Sequence, residues 1–390
     1  MIKPDALPEF VNTTDLIHEG SKYTIYTLKS IPDDDLENRI YRSAILSADQ
    51  RLLCVAPAKS LPEIRETGGT FLITEIVEGT MINLFWDGNK WEIATRKKLG
   101  GRNYFFKNKY QGVDQDEVEK TFREMFTDAL DLASINFDKT YCYSFVLQHP
   151  YNHIVTRVEK PQLYLVSTHK LVGLHYDYLH PLSHPDYESF VKLGIWFPRT
   201  LDFSRVKMTD EPIEAKFTLS LGRLTFKEVK GSETHIRDMV SSRLNSPASP
   251  GVMVTDLETG LRTTFYNPKY LELKLLRGNN PNLHFHYLML RKTGKVAEFL
   301  RHFPMYTKHF AHFHEHFKFV KKRIRKLYWE VHVKKTATLT DQTRDRYFVE
   351  KLHYEVFLPN KKLSKQFFIT DGEVEKFLDS ENIIIPLGPQ

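Results

Sequence analysis

The sequence predicts an α+β fold in which an antiparallel-sheet domain precedes a helical C-terminal domain. Between residues 40 and 290 the chain consists mainly of short strand-like runs separated by turns. After Gly294, apolar residues instead recur in steps of four and three, which places them along one face of a long helix. With 390 residues the chain is long enough for two domains.

Two predicted hairpins open the sheet domain. Residues 42–46 and 51–55 flank one short polar break, and residues 80–85 and 91–95 flank another, so both pairs favour antiparallel pairing. Further strands are predicted at 141–147, 163–169, 251–256 and 261–265, and helices at 114–132, 186–193 and 233–245. We expect Asp114 and Asp116 to cap the first of these helices.

The C-terminal stripe contains ten apolar residues. They are Phe299, Phe303, Tyr306, Phe310, Phe313, Phe317, Val320, Ile324, Leu327 and Val331. Because Pro304 disrupts a helix interior, we expect the long helix to begin near Met305 or to kink there. Residues 348–357 and a segment opening at Asp371 predict two more helices. We expect the stripe to pack within its own domain; docking onto another subunit is the alternative.

The composition is that of a globular protein, with 41% hydrophobic and 27% charged residues. The longest apolar runs are far shorter than the roughly 18 residues that a membrane span needs, so no span is predicted. The start lacks the apolar core of a secretory signal, and Cys54 and Cys142 both lie in strand-like runs. We therefore expect an intracellular protein, cytoplasmic or nuclear.

The net charge of +6 is unevenly distributed, with a basic cluster between residues 318 and 335. Lys318, Lys321, Lys322 and Arg325 are the candidate contacts to RNA or DNA phosphates. The alternative is a solvated helix face beside an acidic surface. The nearby histidines, from His309 to His316, are expected to flank the aromatic stripe, and no metal site is predicted.

Seven short segments between residues 42 and 270 carry a resemblance to a known family. They are residues 42–46 (RSAIL), 56–61 (APAKSL), 78–82 (EGTMI), 91–96 (WEIATR), 145–155 (FVLQHPYNHIV), 250–254 (PGVMV) and 264–270 (TFYNPKY). In this order they resemble the landmarks of the bacteriophage-type RNA ligases, which are covalent nucleotidyltransferases, and the tail of the chain resembles ligase-like proteins of large DNA viruses. The resemblance implies an N-terminal extension at 1–39, an RNA-ligase-like nucleotidyltransferase domain at 40–294 and a helical C-terminal domain at 295–390.

The departures from the family pattern fall on its charged residues. Ile76 stands where the family has the lysine that becomes attached to the nucleotide, and its side chain has no lone pair for attack on a phosphate. Val146 and Pro250 replace two glutamates, and Thr264 and Tyr266 replace two lysines. Nucleophile, metal ligands and phosphate contacts are thus lost together, so no catalytic residue is expected.

The resemblance also implies which residues contact a nucleotide. They are Arg42, Lys59, Glu78, Gly79, Arg96, Phe145 and Gly251. No cofactor is expected; ATP and Mg²⁺ are implied if the protein is active. In that case Lys59 is the fallback candidate for the nucleophile, since burial can activate a lysine.

Three functions follow from these observations. We prefer a catalytically degenerate nucleotidyltransferase that serves as a binding or structural module. Its expected partners are RNA, DNA or other subunits of a viral assembly. The virion is the alternative to an intracellular location. The alternatives are an active ATP-dependent RNA ligase that uses Lys59, and a non-catalytic protein that binds RNA or DNA ends.

Overall fold

The computed structural model describes the chain in nine stretches. They are residues 1–32, 35–63, 70–103, 120–200, 215–218, 228–231, 249–280, 282–338 and 344–380. The chain forms two compact units. The first consists of Met1–Phe105 and Glu119–Arg277, and the second of Phe106–Val118 and Gly278–Gln390.

The first sheet has four antiparallel strands in sequential order. They are β1 (Val11–His18), β2 (Ser21–Leu28), β3 (Ala44–Ser47) and β4 (Leu52–Val55). β3 and β4 are buried along their whole length, whereas β1 is mostly exposed, as expected of an edge strand. Two strands thus come from residues 1–39, the segment that the resemblance sets apart as an extension.

The second sheet has five antiparallel strands in the order β10-β9-β8-β6-β7. They are β6 (Thr80–Trp86), β7 (Trp91–Ala94), β8 (Tyr141–Gln148), β9 (Gln162–Val172) and β10 (His175–Leu179). The central strand β8 is buried at every position but its last. One face of this sheet packs in a core with Phe126, and the other packs on the first sheet through Phe85 and Cys142.

The third sheet has the order β12-β11-β5-β13-β14. Its strands are β5 (Thr70–Glu75), β11 (Ala215–Thr218), β12 (Glu228–Gly231), β13 (Gly251–Asp256) and β14 (Arg262–Tyr266). β5 pairs parallel with β11, and the other pairs are antiparallel. The predicted strands of both hairpins, and those at 141–147, 163–169, 251–256 and 261–265, correspond to observed strands.

Three helices belong to the first unit: α1 (Phe122–Ala129), α2 (Tyr187–Lys192) and α3 (Pro268–Arg277). α1 begins at a capping box, in which the Thr121 hydroxyl accepts from the Glu124 N–H and the Glu124 carboxylate accepts from the Thr121 N–H. The predicted caps Asp114 and Asp116 lie outside the described residues, as does the predicted helix at 233–245. Within the described residues, the observed helix covers Phe122–Ala129 of the predicted 114–132.

The second unit is helical in its described residues. Its helices are α4 (Leu283–Lys292), α5 (Val296–His302), α6 (Thr307–Tyr328), α7 (Arg344–Lys351), α8 (Leu358–Leu363) and α9 (Asp371–Ser380). A single 3₁₀ turn at Pro304–Tyr306 separates α5 from α6, because Pro304 has no N–H to continue the helix. Each of α6 and α7 continues into a π-helical segment, at Trp329–Val333 and Leu352–Phe357.

The aromatic stripe lies in the core of this unit. Phe299, Phe310, Phe313, Phe317 and Ile324 are all buried. The phenylalanine rings pack on other aromatic rings of the same unit. Phe299, for example, stacks on Phe310 with the ring centroids 4.9 Å apart. The expected packing of the stripe within its own domain is thus observed.

The prediction of an α+β fold is confirmed: antiparallel sheets precede a helical region. Every helix in the described parts of the chain is too short or too polar to span a lipid bilayer.

Two phenylalanines of α6 provide a matched test of this core. Phe317 is 3% exposed, whereas Phe319 is 59% exposed. We expect Phe317→Ala to lower the free energy of unfolding by about 3–5 kcal/mol, because it opens a cavity and removes the ring beneath Arg291. Phe319→Ala should change it by less than about 0.5 kcal/mol. Urea unfolding followed by circular dichroism measures both, and equal losses would contradict the assignment of the stripe to the core.

Candidate functional site

A cavity of about 460 Å³ lies within the first unit. Strands β6, β8 and β9 of the second sheet line it through Met81, Val146 and Leu165, and strands β5, β13 and β14 of the third sheet line it from their side. Its volume is within the range of about 300–1,000 Å³ typical of small-molecule sites. The two sheets thus provide a site of the size of a small ligand.

The positions that depart from the ligase pattern meet in this cavity. Ile76, Val146, Thr264 and Tyr266 all line it, although they come from three separate parts of the sequence. Pro250, the fifth such position, is buried directly before β13. These four side chains are uncharged, so the cavity has no lysine at position 76 and no carboxylate at position 146.

The two retained glycines have conformational reasons for being glycine. Gly79 has φ +155°, and a Cβ atom there would lie 2.4 Å from the carbonyl oxygen of Leu147. Gly251 has φ +141°, and a Cβ atom there would lie 2.1 Å from the carbonyl oxygen of Phe265. Both positions therefore require glycine for the close approach of neighbouring backbone, whatever the cavity binds.

Glu78 lies at the cavity wall and is 7% exposed. Its Oε1 accepts hydrogen bonds from the N–H groups of Val155 (3.0 Å) and Thr156 (2.9 Å), and its carbonyl oxygen accepts one from Gln148 Nε2 (2.8 Å). Burial raises the pKa of Glu78; the two N–H donors and the Tyr270 hydroxyl oppose this only in part. Glu78 thus holds the segment between β5 and β6 to the loop after β8.

Arg42, Lys59 and Arg96 also line the cavity, as the resemblance implies. Lys59 and Arg96 are exposed, and Arg42 is half-buried. Burial lowers the pKa of Arg42, and repulsion by Arg96 lowers it further. None of the three forms an ion pair with another described residue.

Sequence reasoning missed Arg262 and Lys274, which add two cations to the wall. Arg262 begins β14, where an arginine in a short strand gives no signal of burial, and it is 6% exposed. Lys274 is on α3, with its Nζ 5.6 Å from the ring centroid of Tyr266. His180 is a further lining residue, and burial lowers its pKa to about 4, so it is neutral at pH 7.

Phe145 and Gly251 are the two predicted contacts that the structure separates from the cavity. Adjacent strand residues point to opposite faces, so Val146 faces the cavity while Phe145 is fully buried in the core with its ring 5.9 Å from that of Phe126. Gly251 is buried where β13 meets β14. Phe145 and Gly251 therefore contribute to the packing of the sheets and do not line the cavity.

The basic residues of α6 are largely paired with acids. Lys318 contacts Glu315 at 3.0 Å, Lys321 contacts Glu375 at 2.8 Å and Arg325 contacts Asp371 at 3.2 Å. Of the four predicted contacts to nucleic acid, Lys322 alone has no such partner among the described residues. This is the arrangement expected of a solvated face beside acidic neighbours.

The described lining of the cavity contains two carboxylates, Glu75 and Glu78. Glu75 pairs with Arg199, with Nη2 2.7 Å from Oε2. Oε1 of Glu78 accepts from two backbone N–H groups, whereas its buried Oε2 makes no hydrogen bond within the described residues. Elsewhere in the described residues, His18, Glu19 and Glu92 bring three possible ligand atoms together. Arg102 and Lys90 already pair with Glu19, and Arg123 pairs with the buried Glu92, so cations of the chain fill that cluster.

A search of the curated proteins found similarity to an RNA ligase of Rhodothermus phage RM378. The two are 27% identical over 119 residues, which make up 28% of this chain and 26% of the ligase. The match thus spans about a quarter of that relative's length, and it confirms the predicted resemblance to RNA ligases. No family model matches the sequence.

Among solved structures, the chain is similar to two ligases. An RNA ligase of Naegleria gruberi with pyrophosphate is 12% identical with a TM-score of 0.33, covering 52% of this chain and 50% of that one. A putative ATP-dependent DNA ligase from Aquifex aeolicus is 13% identical with a TM-score of 0.39, covering 95% of this chain and 84% of that one. Both TM-scores are below 0.5.

Because the pKa of Glu78 is raised in the folded chain, its contribution to the stability of the fold decreases as the pH rises. The folded chain holds the Glu78 proton more tightly than the unfolded chain, so this stabilisation is complete below the ordinary pKa of 4.5 and is lost as the pH rises through the raised value. The Glu78→Gln side chain does not titrate. The Tm of this variant minus that of wild type should therefore increase as the pH rises above about 4.5.

Glu124 provides a control of opposite sign. The hydrogen bonds that it accepts from Thr121 lower its pKa below 4.5, so the Tm of Glu124→Gln should fall relative to wild type as the pH rises from the lowered pKa to 4.5, and then stay constant. Thermal unfolding on both sides of pH 4.5 measures both variants. A difference between wild type and Glu78→Gln that does not vary with pH would contradict the raised pKa.

Proposed function

We propose that the chain is a catalytically degenerate RNA-ligase-like protein whose first unit binds a nucleotide in the cavity without forming a covalent adduct. The main support for this proposal is that Ile76, Val146, Thr264 and Tyr266, which stand where the ligase pattern has charged residues, all line one cavity. The similarity to a phage RNA ligase supports the choice of a nucleotide as ligand.

Covalent nucleotidyl transfer needs a nucleophile beside the α-phosphate and groups that stabilise the charge of the transition state. Ile76 supplies no nucleophile. The described lining contains two carboxylates, of which Glu75 pairs with Arg199 and Glu78 accepts from backbone N–H groups through Oε1. A lysine restored at a single position therefore leaves the remaining requirements unmet.

The charge of the cavity favours an anionic ligand. Its described lining contains six cations against Glu75 and Glu78: Lys29, Arg42, Lys59, Arg96, Arg262 and Lys274. Apolar side chains, including Met81, Ile154 and Phe197, form another part of the same wall. A phosphate beside the cations and a base beside the apolar side chains match these two surfaces.

An active ligase that uses Lys59 is the second candidate, because the Lys59 side chain is exposed and lines the cavity. Its segment is held in place by Arg39, whose Nη1 donates to the carbonyl oxygen of Ser60 at 2.9 Å. Activation by burial, which the sequence-based hypothesis invoked, does not apply to an exposed lysine. Binding of RNA ends by α6 has less support, since most of its cations are already paired.

A labelling experiment tests whether an adduct forms. After incubation with α-³²P-labelled ATP or GTP and Mg²⁺ and then denaturation, we expect no label on the wild-type chain. The Ile76→Lys variant should also stay unlabelled, because Val146, Pro250, Thr264 and Tyr266 still lack the family's charges. Label on the wild type that Lys59→Ala abolishes would establish the second candidate and overturn the first.

Equilibrium dialysis with labelled ATP tests whether the cavity binds a nucleotide. We expect saturable binding to wild type and a loss of at least about tenfold in affinity for Met253→Trp, whose larger side chain fills part of the cavity. Met305→Trp is the matched control, because Met305 is exposed on the second unit. Circular dichroism establishes that both variants fold, and equal binding by all three proteins would exclude the cavity as the site.

A further inference from the structure

Arg262 is a buried cation without a counter-charge among the described residues. It is 6% exposed, yet it lines the cavity. Its Nη2 donates to the carbonyl oxygen of Ala58 at 3.1 Å, and its buried Nε has no partner in the described part of the chain. Burial and the nearby charge of Arg42 lower its pKa to about 9, so the guanidinium is still charged at neutral pH.

Arg42 places a second guanidinium on the same wall. It ends the 3₁₀ turn Glu37–Arg42 and has no ion pair within the described stretches. The two arginines therefore repel each other in a partly buried site, and this repulsion destabilises the free protein.

An anion between the two guanidiniums would remove this repulsion. A guanidinium has a planar set of N–H donors that matches the oxygen atoms of a phosphate, and two of them can share one phosphate group. The wall is also held rigid, because the guanidinium of Arg39 donates to the backbone oxygens of Ser60 and Pro32. A preorganised pair of this kind needs no bridging metal ion.

We propose that Arg42 and Arg262 bind a phosphate group directly, without a divalent cation. This inference rests on the proposed binding function of the cavity and assigns the part of the ligand that the two arginines contact. It differs from metal-assisted phosphate binding because the two guanidiniums supply both the positive charge and the N–H donors.

The test uses pyrophosphate as the probe, in buffer that contains EDTA. We expect pyrophosphate to raise the Tm of wild type saturably and to bind in isothermal titration calorimetry. Arg262→Met should bind it about 10- to 100-fold more weakly, because charge-assisted hydrogen bonds are lost. Arg262→Lys keeps the positive charge but loses the paired N–H donors of the guanidinium. Its affinity for pyrophosphate should therefore lie between those of wild type and Arg262→Met.

The Tm of the free protein separates binding from a structural role. Without pyrophosphate, Arg262→Met should melt above wild type, because it removes an uncompensated buried charge. Arg51→Met is the control: Arg51 is exposed and pairs with Asp49, so both Tm and affinity should match wild type. A lower Tm for Arg262→Met with unchanged affinity for pyrophosphate would overturn the proposal, as would binding that requires Mg²⁺.

Competition distinguishes the source of the phosphate. Displacement of pyrophosphate by ATP supports a free nucleotide, and displacement by a 5′-triphosphorylated oligoribonucleotide but not by its 5′-hydroxyl form supports an RNA end; either result supports the phosphate site. If labelled ATP binds equally to wild type and Arg262→Met, the proposed function stands and this inference fails. If pyrophosphate binds but ATP does not, the phosphate site stands and nucleotide binding fails.

Discussion

The cavity depends on the connection that leads from β5 in the third sheet to β6 in the second. Glu78 fixes this connection through hydrogen bonds to Val155, Thr156 and Gln148. Gly79 lets it pass the backbone of Leu147, where a side chain would collide. Ile76 donates its N–H to the carbonyl oxygen of Gly251 at 3.0 Å, which joins the connection to β13. The motif residues that remain in this chain thus hold two sheets in register around a cavity.

The motif residues that match the ligase pattern thus have a structural role that does not depend on any chemistry in the cavity. Gly79 and Gly251 are required by backbone geometry, and Glu78 satisfies backbone donors that would otherwise be buried without partners. Ile76 and Val146 meet no such requirement, because a side chain at the cavity wall can change without disturbing the strands behind it. The fold therefore restricts which residues can occupy positions 78, 79 and 251. At positions 76 and 146 only a catalytic function would impose such a restriction.

Local patterns predicted most of the sheet, because strand runs and turns are properties of neighbouring residues. β13 was predicted with its observed bounds, since an apolar run follows Gly251 directly. Long-range properties were not accessible in this way. β1 is mostly exposed and carries a weak apolar pattern, so its pairing with β2 was missed. The burial of Arg262 arises from contact with residue 58, about two hundred positions away in the chain.

The same limit applies to charge. The cluster from Lys318 to Arg325 is basic in sequence, but two of the acids that pair with it, Glu375 and Asp371, come from α9. In the cavity, Arg42 and Arg262 come from distant segments of the chain, and neither forms an ion pair with an acid among the described residues. Clustering of like charges in sequence is therefore a poor guide to unpaired charge in the fold, whereas a buried arginine with an unsatisfied donor identifies it directly. On this criterion the unpaired buried charge lies in the sheet unit, although the sequence is most basic in the helices.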